Sequence, residues 1–265
     1  MPRLIDPGEG PAIGLDELIA TLDSTRFDVR DEDSFASLGP LLARLGRNRD
    51  FLPALALEEL KTRAAGQNAI GFYGPQVLLL RAPAGGYALR ANFWPARHDP
   101  VLRASGTAAF QYDLPHDHNF PFLTYGYLGP GYWSDYYERE PGPGEIGGPA
   151  GLRFVERARL DPGKLMLYRT GRDVHAQLPP DAFSVSLNIL GVDPAQPWID
   201  QYRFDIAGDR IAAGLAIAGS EALLALAVQL GNGVDLAHDF ATRHPCRRMR
   251  ATAAAALDMA GQSDP

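Results

Sequence analysis

The chain has 265 residues, 46% of them apolar and 22% charged, with a formal net charge of -7 at pH 7. That mixture fits a globular protein with a full core, and the acidic balance argues against a nucleic-acid binder, for which a basic surface is the first requirement. No apolar run reaches the roughly 18 residues that a membrane helix needs, so no membrane partner is expected.

The opening stretch, Met1-Pro2-Arg3-Leu4-Ile5-Asp6, lacks the long apolar region of a signal peptide, and a cytoplasmic protein is expected. Cys246 is the single cysteine, which excludes an internal disulfide and is read as an ordinary helix-terminal residue. Lys61 and Lys164 are the only lysines beside many arginines, the usage of a GC-rich bacterial genome.

From Gly14 to about Ala65 the pattern is helical: Leu15-Asp16-Glu17-Leu18-Ile19-Ala20-Thr21-Leu22 repeats apolar residues at three and four, and so does Phe35 to Leu45. A helical extension over 1–68 follows from this. Between Ala69 and Ile206 short runs rich in aromatic and β-branched residues alternate with Gly-Pro, Ala-Gly-Gly and Pro-Gly-Pro-Gly turns. These are strands at sandwich spacing, and they predict a β-barrel over 69–206. The stretch Leu123 to Glu138 reads as a hairpin turning at Gly129-Pro130-Gly131, and the glycine- and proline-rich segment Glu138 to Ala150 reads as a loop near the barrel mouth that gates a site.

Helix-forming residues return over 207–265, in Ser220 to Ala227 and Met249 to Leu257, and predict two or three helices. The stretch His244-Pro245-Cys246-Arg247-Arg248-Met249-Arg250-Ala251 resembles the inter-helix turn of a HEAT-type repeat. One such unit does not bury its own apolar face, so these helices are expected to pack on the barrel or on a second subunit, the latter giving a homodimer. The three stretches are expected to form one integrated domain of class α+β, mainly β.

Chemistry concentrates in Gln111-Tyr112-Asp113-Leu114-Pro115-His116-Asp117-His118-Asn119-Phe120. An H-x-H pair on a strand points two imidazoles the same way. Downstream, Asp161-Pro162-Gly163-Lys164 opens an apolar run that ends in Arg172-Asp173-Val174-His175. His116, His118 and His175 are therefore the expected metal ligands, a three-nitrogen face that leaves positions open for substrate. Such ligands suit iron, zinc, copper and nickel alike. His98, His238 and His244 lie in a loop and in the helical tail and are read as structural. Tyr125, Tyr127 and Tyr136 are mostly barrel packing, but each is a candidate acid or hydrogen-bond donor to a bound substrate. The chain has no G-x-S-x-G, no Walker A, no strand-linked G-x-G-x-x-G and no C-x-x-C, which removes hydrolase triads, nucleotide sites and zinc ribbons.

The H-x-H pair followed by Pro-Gly and a last histidine resembles the cupin superfamily over roughly residues 70 to 205. This implies a cupin-type double-stranded β-helix, a jelly-roll barrel, carrying helical extensions at both ends. Within the cupins the chain is most similar to the cysteine dioxygenase type, in which a Tyr-x-x-Arg strand precedes the histidines, as Tyr87-Ala88-Leu89-Arg90 does here. The resemblance implies Fe(II) as cofactor, dioxygen as co-substrate and Arg90 as the group that grips a substrate carboxylate. A guanidinium fork suits that role, since it donates two charge-assisted hydrogen bonds to one carboxylate.

The departures narrow the reading. Many cupins carry a glutamate four or five residues after H-x-H, where Phe122 and Leu123 stand, so three histidines are expected without a carboxylate; Glu138 is the fallback fourth ligand. The thiol dioxygenases carry a tyrosine where Leu190 stands and a histidine where Asn188 stands, which argues against thiol dioxygenation. Asn188 is instead expected to hydrogen-bond a ligand histidine or bound oxygen. The expected function is a non-haem Fe(II) oxygenase acting on a small carboxylate-bearing molecule, an amino acid or a peptide. Its rivals are a zinc or manganese cupin isomerase, lyase or hydrolase, and a non-catalytic cupin binding module.

Overall fold

Side chains along a β-strand alternate between its two faces, so a strand covered on both sides carries apolar residues of both parities. The strands of this chain do so. A computed structural model describes residues 1–63, 76–216 and 218–261. The expected helix-to-strand boundary at 68/69 lies outside the described residues.

In chain order, β1 (Arg3–Ile5) precedes four helices, α1 (Leu15–Ser24), α2 (Glu32–Ala36), α3 (Gly39–Arg47) and α4 (Phe51–Lys61). Then come β2 (Val77–Ala84), β3 (Tyr87–Trp94), the short helix α5 (Pro100–Ser105), β4 (Phe122–Leu128), β5 (Trp133–Glu138), β6 (Arg153–Arg159), β7 (Leu165–Tyr168), β8 (Asp173–Gln177) and β9 (Ser184–Gly191). The chain closes with β10 (Tyr202–Asp205), β11 (Arg210–Gly214) and the helices α6 (Gly219–Gln229), α7 (Val234–Arg243) and α8 (Arg247–Gly261). Strand β11 carries β-structure past Ile206, the residue at which the sequence pattern places the change to helix. Its alternation is short and glycine-bounded, too weak a signal to read alone.

Six strands form an antiparallel sheet in the order β1-β7-β4-β9-β3-β2, three form a second sheet β6-β5-β8, and β10 pairs with β11. Residues Met1–Pro194 with Gln201–Ala213 make one compact unit; Ala195–Asp200 with Gly214–Pro265 make another. The fold is α+β, mainly β, as the sequence predicts, with two antiparallel sheets that share a core.

Parity on the large sheet decides what faces what. Tyr87, Leu89, Ala91, Leu123, Tyr125, Tyr127, Leu165, Leu167, Leu187 and Ile189 share one core with Leu18, Leu22, Phe35, Leu42 and Leu45 of the N-terminal helices. Residues of the opposite parity, among them Ala88, Trp94, Phe122, Met166, Tyr168 and Leu190, share a second core with Tyr136 of the smaller sheet. The interior between the sheets therefore receives the even-numbered residues of β3, β4 and β9.

The helical pattern from Phe35 to Leu45 is divided in two, α2 ending at Ala36 and α3 starting at Gly39. Pro40 in the first turn of α3 explains the break, since proline lacks the amide that a continuous helix requires and fits a helix start. Asp31 caps α2 by accepting from Ser34 N at 2.7 Å.

The turn at Gly129-Pro130-Gly131 joins β4 of one sheet to β5 of the other, so it is a crossing between layers, where the sequence reading has a hairpin. Both glycines take positive φ (79° and 80°), and a Cβ at Gly131 would lie 2.0 Å from the Leu160 carbonyl oxygen. The crossing needs glycine for conformation and for clearance together.

In the second unit, Leu224, Val228, Ala237, Met249, Ala253 and Ala256 of the three helices bury one another, with Trp198 packed against them. Glu221 accepts from Ala218 N at 2.9 Å and from Arg248 Nε at 2.8 Å, closing the start of α6 onto α8.

Helix α3 lies on β4 through Gly46, where a Cβ would come within 2.1 Å of the Tyr125 ring. Gly46→Ala should lower stability by about 1–3 kcal/mol through overpacking, read as a lower urea midpoint with an unchanged slope. A wild-type midpoint would show that α3 is free to move off the sheet.

Candidate metal centre

His116 forms an antiparallel bridge with His175, each backbone N–H donating to the other's carbonyl at 3.0 Å. The sequence reading places the H-x-H pair on a strand; in the structure only His116 is in a bridge and the segment is otherwise irregular. Its pinning comes from neighbours. Asp117 N donates to Tyr202 O at 3.2 Å, Tyr202 N donates to Asp117 Oδ1 at 2.6 Å, and Gly171 N donates to His118 O at 2.8 Å. Arg139 Nη1 stands 3.5 Å from Asp117 Oδ2, and burial pushes the Asp117 carboxyl up to about 6 although Tyr202 and Arg139 oppose that shift.

Three imidazoles meet inside the barrel. The ring centroids of His116 lie 4.8 Å from His118 and 4.6 Å from His175, those of His118 and His175 are 5.2 Å apart, and the two Nε2 atoms of the latter pair are 3.0 Å apart. One ligand atom from each histidine lies within 4.8 Å of the others. His116 Nδ1 is 2.7 Å from Leu114 O, which assigns the ring proton to Nδ1 and turns the Nε2 lone pair toward the cluster.

Burial lowers the pKa of His116, and burial with neighbouring charge lowers those of His118 and His175 well below the ordinary range, so all three are neutral at pH 7. Converging neutral imidazoles in a water-poor interior fit a divalent cation, because their lone pairs repel one another unless a positive centre lies between them. No carboxylate joins the cluster among the described residues.

Glu138 is elsewhere: it accepts from the Met1 amine at 2.8 Å and from Arg169 at 3.0 Å, which hold its carboxyl near 2. Of the two positions where a glutamate ligand was absent from the sequence, Phe122 sets its ring 4.8 Å from His118, and Leu123 belongs to the core under the helices.

Arg90, Asn188 and Tyr136 are on the interior side with the histidines. Arg90 pairs with Asn188 across β3 and β9, Asn188 with Thr124 across β9 and β4, and Tyr136 with His175 across β5 and β8. The Arg90 charge acts on both His116 and His118, lowering their pKa. Tyr125 and Tyr127 are not at the site. Their parity sends them to the opposite face, where Tyr125 packs on Gly46, and Tyr127 stacks edge-on against Phe51 and donates to Asn48 O at 3.0 Å.

Sequence reasoning missed Tyr168, whose ring is 4.8 Å from His175 and whose hydroxyl donates to Tyr136 at 3.3 Å, and Tyr132, whose ring lies tilted against Trp94 with centroids 4.2 Å apart. Burial holds Tyr132 and Tyr168 well above the ordinary phenol range and raises Tyr136, so the three are hydrogen-bonding phenols at pH 7. Asn92, Thr124 and Gln177 were also missed. Gln177, two residues after His175 on one strand, carried a signal in its spacing; the others needed the register.

Outside the centre, His98 is exposed beside Asp99, His238 is exposed on α7, and His244 packs against Trp198 and Phe240 in the second unit. The segment after Glu138 is tied by Gly144 N to the Tyr202 hydroxyl at 2.9 Å and by Gly147 N to Ile211 O at 2.8 Å. No helix among the described residues is long and apolar enough to cross a membrane.

No family model matches the sequence, and no curated protein does. Solved structures to which the chain is similar include the DMSP lyase DddQ from Ruegeria pomeroyi DSS-3, at 11% identity and TM-score 0.31, with 72% of this chain and 78% of that one covered. A cupin domain from Bordetella pertussis is similar at 12% identity and TM-score 0.26, with 46% and 100% covered. A cupin-like protein from Thermotoga maritima is similar at 10% identity and TM-score 0.26, with 54% and 84% covered. The chain brings three buried histidines together inside a fold of two antiparallel β-sheets, in an arrangement that could hold a metal ion.

His116→Ala, His118→Ala and His175→Ala should each abolish stoichiometric binding of a divalent metal, measured by elemental analysis and by loss of the rise in Tm on metal addition. Full occupancy in any one variant would remove that residue from the ligand set.

Proposed function

We propose that the protein is a metal-dependent enzyme that binds Fe(II) through His116, His118 and His175 and oxygenates a small carboxylate-bearing substrate. The observation that carries this reading is the set of three neutral histidines with no carboxylate ligand, set beside Arg90 on the same interior face. Fe(II), held by His116, His118 and His175, would supply the redox chemistry that activates dioxygen.

The chain's own residues do the rest. Arg90 anchors the carboxylate by its guanidinium fork and fixes the orientation of the substrate. Asn188, its cross-strand partner, offers an amide to the same molecule. Phe122, Leu190 and Ala88, all buried, keep water from the reacting end. Tyr136 and Tyr168 stay protonated beside His175, and because Tyr168 donates to Tyr136 the Tyr136 O–H is the one left to donate to a developing negative charge.

That pair of phenols also favours a second reading, a lyase or isomerase in which Tyr136 would move the proton and a metal held by the three histidines would supply Lewis-acid chemistry. Oxygen consumption separates the two. The Fe(II)-loaded protein should take up dioxygen with its substrate and give little or no turnover of cysteine, since Leu190 and Asn188 replace the groups expected of a thiol dioxygenase. Turnover without oxygen uptake would transfer the protein to the lyase or isomerase class.

Arg90→Lys should raise KM about tenfold or more while leaving metal content unchanged, because lysine keeps the charge and loses the fork; a hydrogen bond to a charged group is worth about 1.5–3 kcal/mol. An unchanged KM would take Arg90 out of the site.

A further inference from the structure

Cross-strand register arranges the interior face of the large sheet in rows. The row nearest the histidines is apolar: Ala88, Leu190, Phe122 and Tyr168 stand opposite one another across β3, β9, β4 and β7. The next row is Arg90, Asn188 and Thr124, and the one after it starts with Asn92 and Ser186. Neighbouring rows on one face are about 7 Å apart, so this polar row stands about that far from the row whose Phe122 and Tyr168 touch the histidines.

Two amide oxygens on this face, Asn92 Oδ1 and Asn188 Oδ1, and a third on β8 of the smaller sheet, Gln177 Oε1, have no hydrogen-bond partner among the described residues. Their side chains are buried, with exposures of 4%, 2% and 5%. Buried acceptors of this kind call for donors.

Resting on the reading of Arg90 as a carboxylate anchor, we propose that this site takes a small hydroxy acid, its carboxylate on Arg90 and its hydroxyl donating its one proton to the amide oxygen of Asn188 or of Asn92. A plain carboxylic acid brings only acceptors and leaves these oxygens unpaired. An amino acid brings donors, but its ammonium charge would need a counter-charge in the interior. The buried carboxylates of this unit are already engaged, Asp117 with Arg139 at 3.5 Å and Asp173 with Arg169 at 2.6 Å. Glu156, across from Tyr136 on the edge strand β6, is only half-buried and stands in the opposite sheet. A neutral hydroxyl satisfies one of these amide oxygens without adding charge. Sites built to bond a substrate hydroxyl reject the analogue that lacks it far more strongly than apolar pockets reject a missing methylene.

The test is calorimetric binding of propanoate, 2-hydroxypropanoate, 3-hydroxypropanoate and 2-aminopropanoate to the protein loaded with Zn(II), a metal without redox chemistry, so that no turnover intervenes. One of the hydroxy acids should bind at least about tenfold more tightly than propanoate and 2-aminopropanoate. Either Asn188→Leu or Asn92→Leu, on a different strand, should bring that ratio close to one while propanoate affinity is held, and retained metal content reports folding in both. Equal affinity for all four acids, lost in Arg90→Lys, would overturn the hydroxy-acid class and leave the carboxylate anchor standing. Tightest binding of 2-aminopropanoate would overturn the class in favour of amino acids. A hydroxyl preference unchanged in both leucine variants would assign it to chelation by the metal and overturn the role of the amides. Binding of none of the acids would overturn this proposal together with the anchor on which it rests.

Discussion

The large sheet is covered on both faces, and strict alternation along its strands is the constraint on which everything else here depends. Leu89, Leu123, Leu187 and Ile189 are committed to the core under the N-terminal helices. Every neighbour of theirs in sequence is then committed to the barrel interior. A one-residue slip in register would exchange the two sets, moving Arg90 and Asn188 under the helices and leucines into the site. The apolar packing of α1 to α4 therefore places the polar groups of the centre, although none of those helices contributes a residue to it.

Charge in the interior is handled by pairing or by neutrality. Asp117 sits between two of the histidines and would be a costly isolated charge; Arg139 and the Tyr202 amide hold it. The same contacts fix the backbone of the H-x-H segment, which has little regular structure of its own. Asp173, two residues before His175, is fixed in the same way by Arg169, which donates to it at 2.6 Å and also reaches Glu138. Both arms of the centre are thus braced by an arginine behind a buried aspartate, while the imidazoles stay uncharged. Such bracing holds a ligand set in place before any ion arrives.

The interior joins two chemical zones. Around the histidines the neighbours are aromatic, with Phe122 stacked on Tyr168 at 4.2 Å and the Tyr136–Tyr168 hydroxyl pair alongside. One row further the lining turns to arginine, amides and hydroxyls. An apolar zone next to the histidines strengthens electrostatic interactions there, and the polar groups stand beyond it.

The sequence by itself determined much of this. Period-two alternation and glycine-rich turns mark the β-region, period three to four marks the helices at both ends, and H-x-H with His175 names the three histidines that meet in the interior, because these signals are local and survive without a partner strand. Arg90 and Asn188 were legible through resemblance to a family pattern. What tertiary structure alone decided is which face each residue looks toward. Tyr125, Tyr127 and Tyr136 are equivalent as residues on neighbouring strands, yet the first two go to the helices and the third to the site, because β4 and β5 belong to different sheets joined by the crossing at Gly129 and Gly131. Asn92, Thr124, Tyr132 and Tyr168 carry no motif, and their membership of the site comes from cross-strand register, a relation between residues distant in sequence that no local pattern records.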